Sequence, residues 1–202
     1  MDKGRTPAAG GGAARAPRAD ARRNIAVILR TAETCLAGDP EATMTEIARA
    51  AGVGRVTLYG HFPSRADLVD AVFARVVRRA DETLEAVDTG GEPGEALRRL
   101  AASSWRIVGC HRGVLAAAER ELPAGRVRDH HDSLLDRMSL ILSRGRETGA
   151  FRTDVPASWL ATVCMTLMHA AATEVTAGQL TEQEADHAVT ETIMGACRPA
   201  RP

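Results

Sequence analysis

Thr43-Met44-Thr45-Glu46-Ile47-Ala48-Arg49-Ala50-Ala51-Gly52-Val53-Gly54-Arg55-Val56-Thr57-Leu58-Tyr59-Gly60-His61-Phe62 is the stretch that decides the fold. Its spacing predicts a short helix from about Thr43 or Thr45 to Ala51, a tight turn at Gly52-Val53-Gly54, and a third helix from Arg55 to Phe62. Ile47, Ala48 and Ala51 give the first of these an apolar inner face, and small Ala48 lets the two backbones approach. Gly52 stands where the turn needs a positive φ, and Val53 plugs the turn against the core. Leu58 and Phe62 are four apart and face inward. Arg55, Val56, Thr57, Tyr59 and His61 are left on the other faces, with no acid among them. A solvated face is usually rich in Glu and Lys, whereas this one offers donors, a methyl-bearing group and an aromatic hydroxyl. That is what a helix lying in the major groove of DNA requires.

The pattern extends on both sides. Upstream, Ile25, Ile28, Leu29, Ala32 and Leu36 lie on one face of a helix that starts near Asp20 and ends at Gly38-Asp39-Pro40. Residues 1–19 mix Gly, Pro and Ala with Lys3, Arg5, Arg15 and Arg18 and read as a disordered basic arm. Downstream, Pro63 breaks the chain and Ser64 caps a long helix running to about Asp88, with Asp67 at the acidic capping-box position. Helices are then expected over Glu95–Cys110, Gly113–Glu121, Arg126–Thr148, from Pro156 to Gly178, and from Thr181 to about Ala196. No alternating strand pattern occurs, so the fold class is all-α. The expected division is a helix-turn-helix domain at 20–66, a helical body at 67–197 and a tail at 198–202.

Composition narrows the function. Residues 1–62 hold nine Lys or Arg against six Asp or Glu, so a neutral chain carries a basic end suited to an anionic partner. Cys35, Cys110, Cys164 and Cys197 form no CxxC pair, which argues against a zinc ribbon or a disulfide framework and fits a reducing cytoplasm. His111, His130, His131 and His169 have no metal-ligand spacing, so no metal and no cofactor is expected. No phosphate-binding glycine loop, Gly-x-Ser-x-Gly or HExxH occurs, and the chain is not expected to be an enzyme. Residues 155–173 carry no charge, yet Thr162, Thr166, His169 and Thr173 suit a helix buried in protein better than one in lipid, so no membrane partner is expected.

With these residues in place, the chain resembles the TetR family of bacterial transcriptional regulators. Thr43, Ile47, Ala48, Ala51, Gly52, Val53, Thr57, Leu58, Tyr59, His61, Phe62, Arg65 and Leu68 stand where that family's pattern has them, and the likeness covers about Asn24–Ala74. Gly149 to Pro156 also looks like the family's link between late bundle helices. Two positions depart: Gly54 replaces a capping Ser, and Gly60 replaces a larger residue that often contacts phosphate. The resemblance implies a three-helix DNA-binding domain followed by a helical ligand-binding and dimerisation bundle. Arg55, Val56 and Thr57 are expected toward bases; Thr43, Tyr59, His61 and Arg65 toward phosphates, with Thr45 in the same contact set. It also implies a homodimer on a palindromic operator. The apolar circumference of the next-to-last helix supports this independently, so Trp159, Val163, Leu167, Ala171, Val189 and Ile193 are the expected interface. The family further implies an inducer site among the middle helices, with Trp105, Leu115, Met138 and Met165 as candidate lining residues for an unknown small-molecule effector. A homodimeric repressor in the cytoplasm, at the nucleoid, is the resulting expectation. An activator, or a regulator with no inducer, fits the same residues.

Overall fold

The computed structural model describes the backbone of residues 15–199 and the side chains of 23–199. Ten helices follow one another among the described residues, with no strand. They are α1 (Arg15–Gly38), α2 (Met44–Ala50), α3 (Arg55–His61), α4 (Arg65–Leu84), α5 (Pro93–Cys110), α6 (Arg112–Glu121), α7 (Ala124–Asp129), α8 (Asp132–Glu147), α9 (Ala157–Thr176) and α10 (Glu182–Cys197).

α1 begins five residues before Asp20, so residues 15–19 belong to a helix and not to the expected arm. Pro17 falls in the first turn, where its missing N–H has no intrahelical partner to lose, and the Ala and Arg around it are good helix formers. Residues 1–14 of the expected arm, and residues 200–202 of the expected tail, lie outside the described residues. Ile28, Ala32 and Leu36 are fully buried, as their spacing requires, and Ile25 and Leu29 pack against the same core.

Capping decides where the reading helices start. Thr43 Oγ1 accepts from Glu46 N, and Glu46 reaches back to the Thr43 N–H at 2.8 Å, closing a capping box. That backbone N–H, then the Thr43 hydroxyl, hold the Glu46 carboxyl below its usual range. Thr43→Ala should lower the urea midpoint by an amount equal to about 1 kcal/mol. An unchanged midpoint would mean that the box contributes nothing. Ser64 and Asp67 close the same box on α4, and Thr181 and Glu184 on α10, both at positions legible in the sequence. α2 ends in a Schellman motif: Val53 N–H donates to Ala48 O, Gly52 N–H to Arg49 O, and Gly52 takes φ +67°.

The body departs most from expectation at one place. A single helix was expected over Arg126–Thr148, but the chain breaks at His130-His131 into α7 and α8. His131 N–H bonds back three residues to Arg128 O, which tightens the turn, while its ring Nδ1 lies 2.8 Å from Val127 O. The break swings the His131 ring into the core, against Phe73 of α4 and His169 of α9. α4 stops at Leu84 rather than Asp88, and Glu92 caps α5 ahead of Pro93. α4 runs from the helix-turn-helix into the body, where it packs on α6 and α5; α8, α9, α10 and α5 form the rest of the bundle. Cys164 and Cys197, distant in sequence, are buried together at the α9–α10 contact, where the hydrogen bond with Cys197 and burial push the Cys164 thiol up.

Candidate nucleic-acid interface

α3 is held by its inner face and exposed on the rest. Leu58 is fully buried and Phe62 nearly so, which anchors the helix on α2 and the core. Val56 is 88% exposed and Tyr59 41% exposed, although both are large and apolar enough to be covered in an ordinary surface helix. Arg55 and Thr57 are exposed too, and His61 is half-buried at the end of the helix. Among the described residues none of Arg55, Thr57, Tyr59 and His61 takes a side-chain hydrogen bond or an ion pair. Thr45 is exposed on α2 beside them. A helix face whose donors have no internal partner keeps them available for an outside acceptor.

The two glycines act as the sequence implied. Gly54 caps α3 with no side-chain bond, and a Cβ there would meet only Thr57 Oγ1, at 3.7 Å. A Cβ on Gly60 would meet nothing within 4 Å, so the helix carries an open gap at that point.

Two expected phosphate contacts need correction. Arg65 is not a free cation: its Nε donates to Ala42 O at 3.1 Å, one terminal nitrogen to Pro40 O at 2.5 Å and the other to Glu121 at 2.5 Å. The guanidinium ties the loop ahead of α2 to the end of α6, because a fork of donors satisfies two orphan carbonyls and a carboxylate at once. The Thr43 hydroxyl is likewise taken, donating to Glu46 at 2.7 Å.

The residues expected at an interface on the last two helices do not share one exposed face. Trp159 is 57% exposed, and Val163 and Leu167 are half-buried on the outer side of α9. Ala171, Val189 and Ile193 instead point into their own bundle and are buried there. On α10 the outward stripe is Ala188, Thr192 and Gly195, one step round the helix from the expected residues. Both faces of α10 carry small or apolar residues, so periodicity alone could not choose between them.

A small, mostly apolar cavity lies between α4, α5, α6, α8 and α9. Leu115 and Met165 line it, as expected. Trp105 and Met138 do not; both are buried core residues elsewhere in the bundle. His131 and His169, which no spacing rule links, face each other with ring centroids 5.2 Å apart on its wall. A second cavity shares His131, Met165 and His169 with the first and is bordered by Glu119, Arg128 and Thr166. Among the described residues no cluster of His, Cys, Asp and Glu could hold a metal ion, and no helix is long and apolar enough to cross a membrane.

An exposed recognition helix on a capped, glycine-turned helix pair, followed by a helical body, defines the class of helix-turn-helix regulators. Residues 28–72 match the family model described as bacterial regulatory proteins, tetR family. The helix-turn-helix segment of the chain is therefore similar to that of the TetR family. It is 39% identical over 82 residues to the HTH-type transcriptional repressor LfrR of Mycolicibacterium smegmatis, an alignment covering 40% of this chain and 43% of that repressor. It is 25% identical over 181 residues to the HTH-type transcriptional regulator NfxB of Pseudomonas aeruginosa, covering 86% of this chain and 95% of the regulator. The crystal structure of LfrR in complex with proflavine superposes with a TM-score of 0.64 at 26% identity, over 89% of this chain and 97% of that one.

Proposed function

We propose that the chain is a homodimeric, sequence-specific repressor that leaves its operator when a small molecule occupies the cavity between α4, α5, α8 and α9. The exposed, unpartnered face of α3 carries the reading. Arg55, Val56 and Thr57 face bases, Arg55 as a donor to guanine edges and Val56 against a thymine methyl. Thr45, Tyr59 and His61 face phosphates, and Arg65 and Thr43 act by holding the two helices in place. The dimer forms through the outer stripe of Trp159, Val163 and Leu167 on α9 with Ala188, Thr192 and Gly195 on α10. The solved LfrR complex with proflavine, on the same fold, supports a ligand-responsive role.

The last turn of α6 supports a route from cavity to reading head. Glu119 pairs with His169 on the cavity wall at 3.1 Å. Its two neighbours grip the helix-turn-helix instead: Arg120 pairs with Glu41, and Glu121 with Arg65. A ligand that displaces Glu119 therefore pulls on both clamps. Half-sites recur at a fixed helical pitch, so a small change in the spacing of two heads disfavours binding.

A mobility-shift titration on duplexes selected from a random pool tests this. The selected site should be a palindrome, and affinity should fall steeply as salt rises. Arg55→Ala should cost about 1–3 kcal/mol and relax preference at one position of each half-site, whereas Tyr59→Ala should weaken all duplexes alike. Absent or salt-insensitive binding sinks the reading. A monomer by light scattering, or a dimer undisturbed by Trp159→Glu, removes the proposed interface.

A further inference from the structure

The second cavity is a groove between the end of α6, α7, α8 and α9, and only two of its lining residues are charged, Glu119 and Arg128. α9 supplies one long wall. Its Thr162, Met165, Thr166 and His169 stand at i, i+3, i+4 and i+7, on one face of the helix. The two charges meet that face at opposite ends. Arg128 Nη1 donates to Thr162 Oγ1 at 3.1 Å, and the guanidinium has no carboxylate partner among the described residues. Glu119 Oε1 lies 3.1 Å from His169 Nδ1, which leaves Oε2 over. Seven residues of helix separate Thr162 from His169, so cation and anion stand about 10 Å apart along α9. Between them the walls are apolar, with Leu122, Val127, Leu135 and Met165. The other polar groups are engaged locally. The Thr162 hydroxyl donates to Ser158 O at 3.0 Å, the Thr166 hydroxyl to Thr162 O at 2.9 Å, and His131 Nδ1 to Val127 O at 2.8 Å. His169 Nε2, buried on the same wall, has no partner, and such an exception calls for a reason.

A groove with a cation at one end, an acid at the other and an apolar middle suits a molecule charged in the opposite order. We infer that this groove binds a zwitterion with an apolar middle, its carboxylate on Arg128 and its ammonium on Glu119, the two charges about 10 Å apart as the α9 spacing sets them. The guanidinium fork fits a carboxylate, and the remaining Glu119 oxygen accepts an N–H. The hydrocarbon middle packs on Val127, Leu135 and Met165. A molecule with one charge leaves the far end of the groove unanswered, and a short zwitterion reaches only one end. His131, Met165 and His169 are shared with the inner cavity, so the ligand presses on the Glu119–His169 pair. This rests on the reading of the body as the effector-binding part, and it adds the charges and the length of what enters.

Calorimetry on the full chain at pH 7.5, where amine and carboxylate are both charged, tests this with 8-aminooctanoate, 4-aminobutanoate, octanoate and octylamine. Extended 8-aminooctanoate spans about 10 Å from nitrogen to carboxyl carbon. It should bind more tightly than 4-aminobutanoate, and at least about threefold more tightly than octanoate or octylamine, the factor that one half-exposed ion pair supplies. Arg128→Gln should bring 8-aminooctanoate down to the level of octylamine and leave octylamine unchanged. Glu119→Gln should bring it down to the level of octanoate and leave octanoate unchanged. Both residues are exposed, so both variants should keep the melting temperature of the wild type. Octanoate or octylamine binding as tightly as 8-aminooctanoate, no binding by 8-aminooctanoate, or its affinity unchanged in either variant overturns the inference. Operator release is measured separately with the same compounds. If 8-aminooctanoate binds as stated without releasing DNA, the repressor mechanism fails and the site stands. If octanoate or octylamine releases DNA and 8-aminooctanoate does not, the inference fails and the mechanism stands.

Discussion

Gly113→Ala is expected to cost the fold about 3 kcal/mol, the upper end of what overpacking a well-filled site costs. A Cβ on Gly113 would lie 2.3 Å from Leu36 O, 2.6 Å from Ala37 O and 2.9 Å from Ala37 C. These are backbone atoms, so no rotamer change relieves the overlap. The first turn of α6 and the last turn of α1 would have to separate by about an ångström, against a core in which Leu36, Val114 and Ala117 are fully buried. Urea unfolding should show a lower midpoint at unchanged slope. Gly125→Ala is the control: it lies in α7 with nothing within 4 Å of its missing Cβ, and the change should be neutral or stabilising by up to about 1 kcal/mol. A Gly113→Ala protein as stable as wild type would mean that α1 and α6 do not approach this closely. The site also joins the reading head to the body, so the variant should bind operator less tightly wherever it remains folded.

What the sequence made legible was local. The Thr43-to-Glu46, Ser64-to-Asp67 and Thr181-to-Glu184 boxes and the Gly52 turn each depend on neighbours within a few residues, so spacing alone located them. Arg65 was misread for the opposite reason. Its partners are Pro40, Ala42 and Glu121, up to 56 residues away, and nothing near Arg65 in sequence announces that its donors are taken. The break at His130-His131 was hidden because apolar periodicity runs on through α8, while the tightening bond is a backbone one that any residue could make. The histidines on the cavity wall were missed in the same way. His111, His131 and His169 sit on separate elements, and only the packing of α4 on α6 and of α8 on α9 brings them to one wall. The exposed face of α3 was legible because it is a departure from the usual Glu and Lys of a solvated helix, and a departure within seven residues can be read directly.

The same His131 that shapes the cavity should make the fold acid-sensitive well above the carboxylate range. Its folded pKa is pushed down to about 4 from an ordinary value of 6.5, first by burial and then by the charge of His169 and His130, against which the Val127 carbonyl and Glu119 work. Between these two values the unfolded chain binds a proton that the folded chain refuses. Stability is therefore complete above pH 6.5 and falls as pH drops from 6.5 toward 4, by at most about 3 kcal/mol. His111, also lowered by burial, acts in the same direction from the other end of the cavity. Asp81, raised by burial, acts in the opposite direction near the bottom of the range, since its folded form holds a proton longer than its unfolded form. Asp70, lowered first by its hydrogen bond from Arg126, contributes stability that is lost only below about 3.8, outside this window. Urea midpoints of wild type measured from pH 7.5 to 4.5 should decline steadily. In His131→Gln, which has no titrating ring, the decline should shrink to the smaller His111 share, whatever the variant's absolute stability. An equally steep decline in that variant would mean that His131 is not the group refusing the proton.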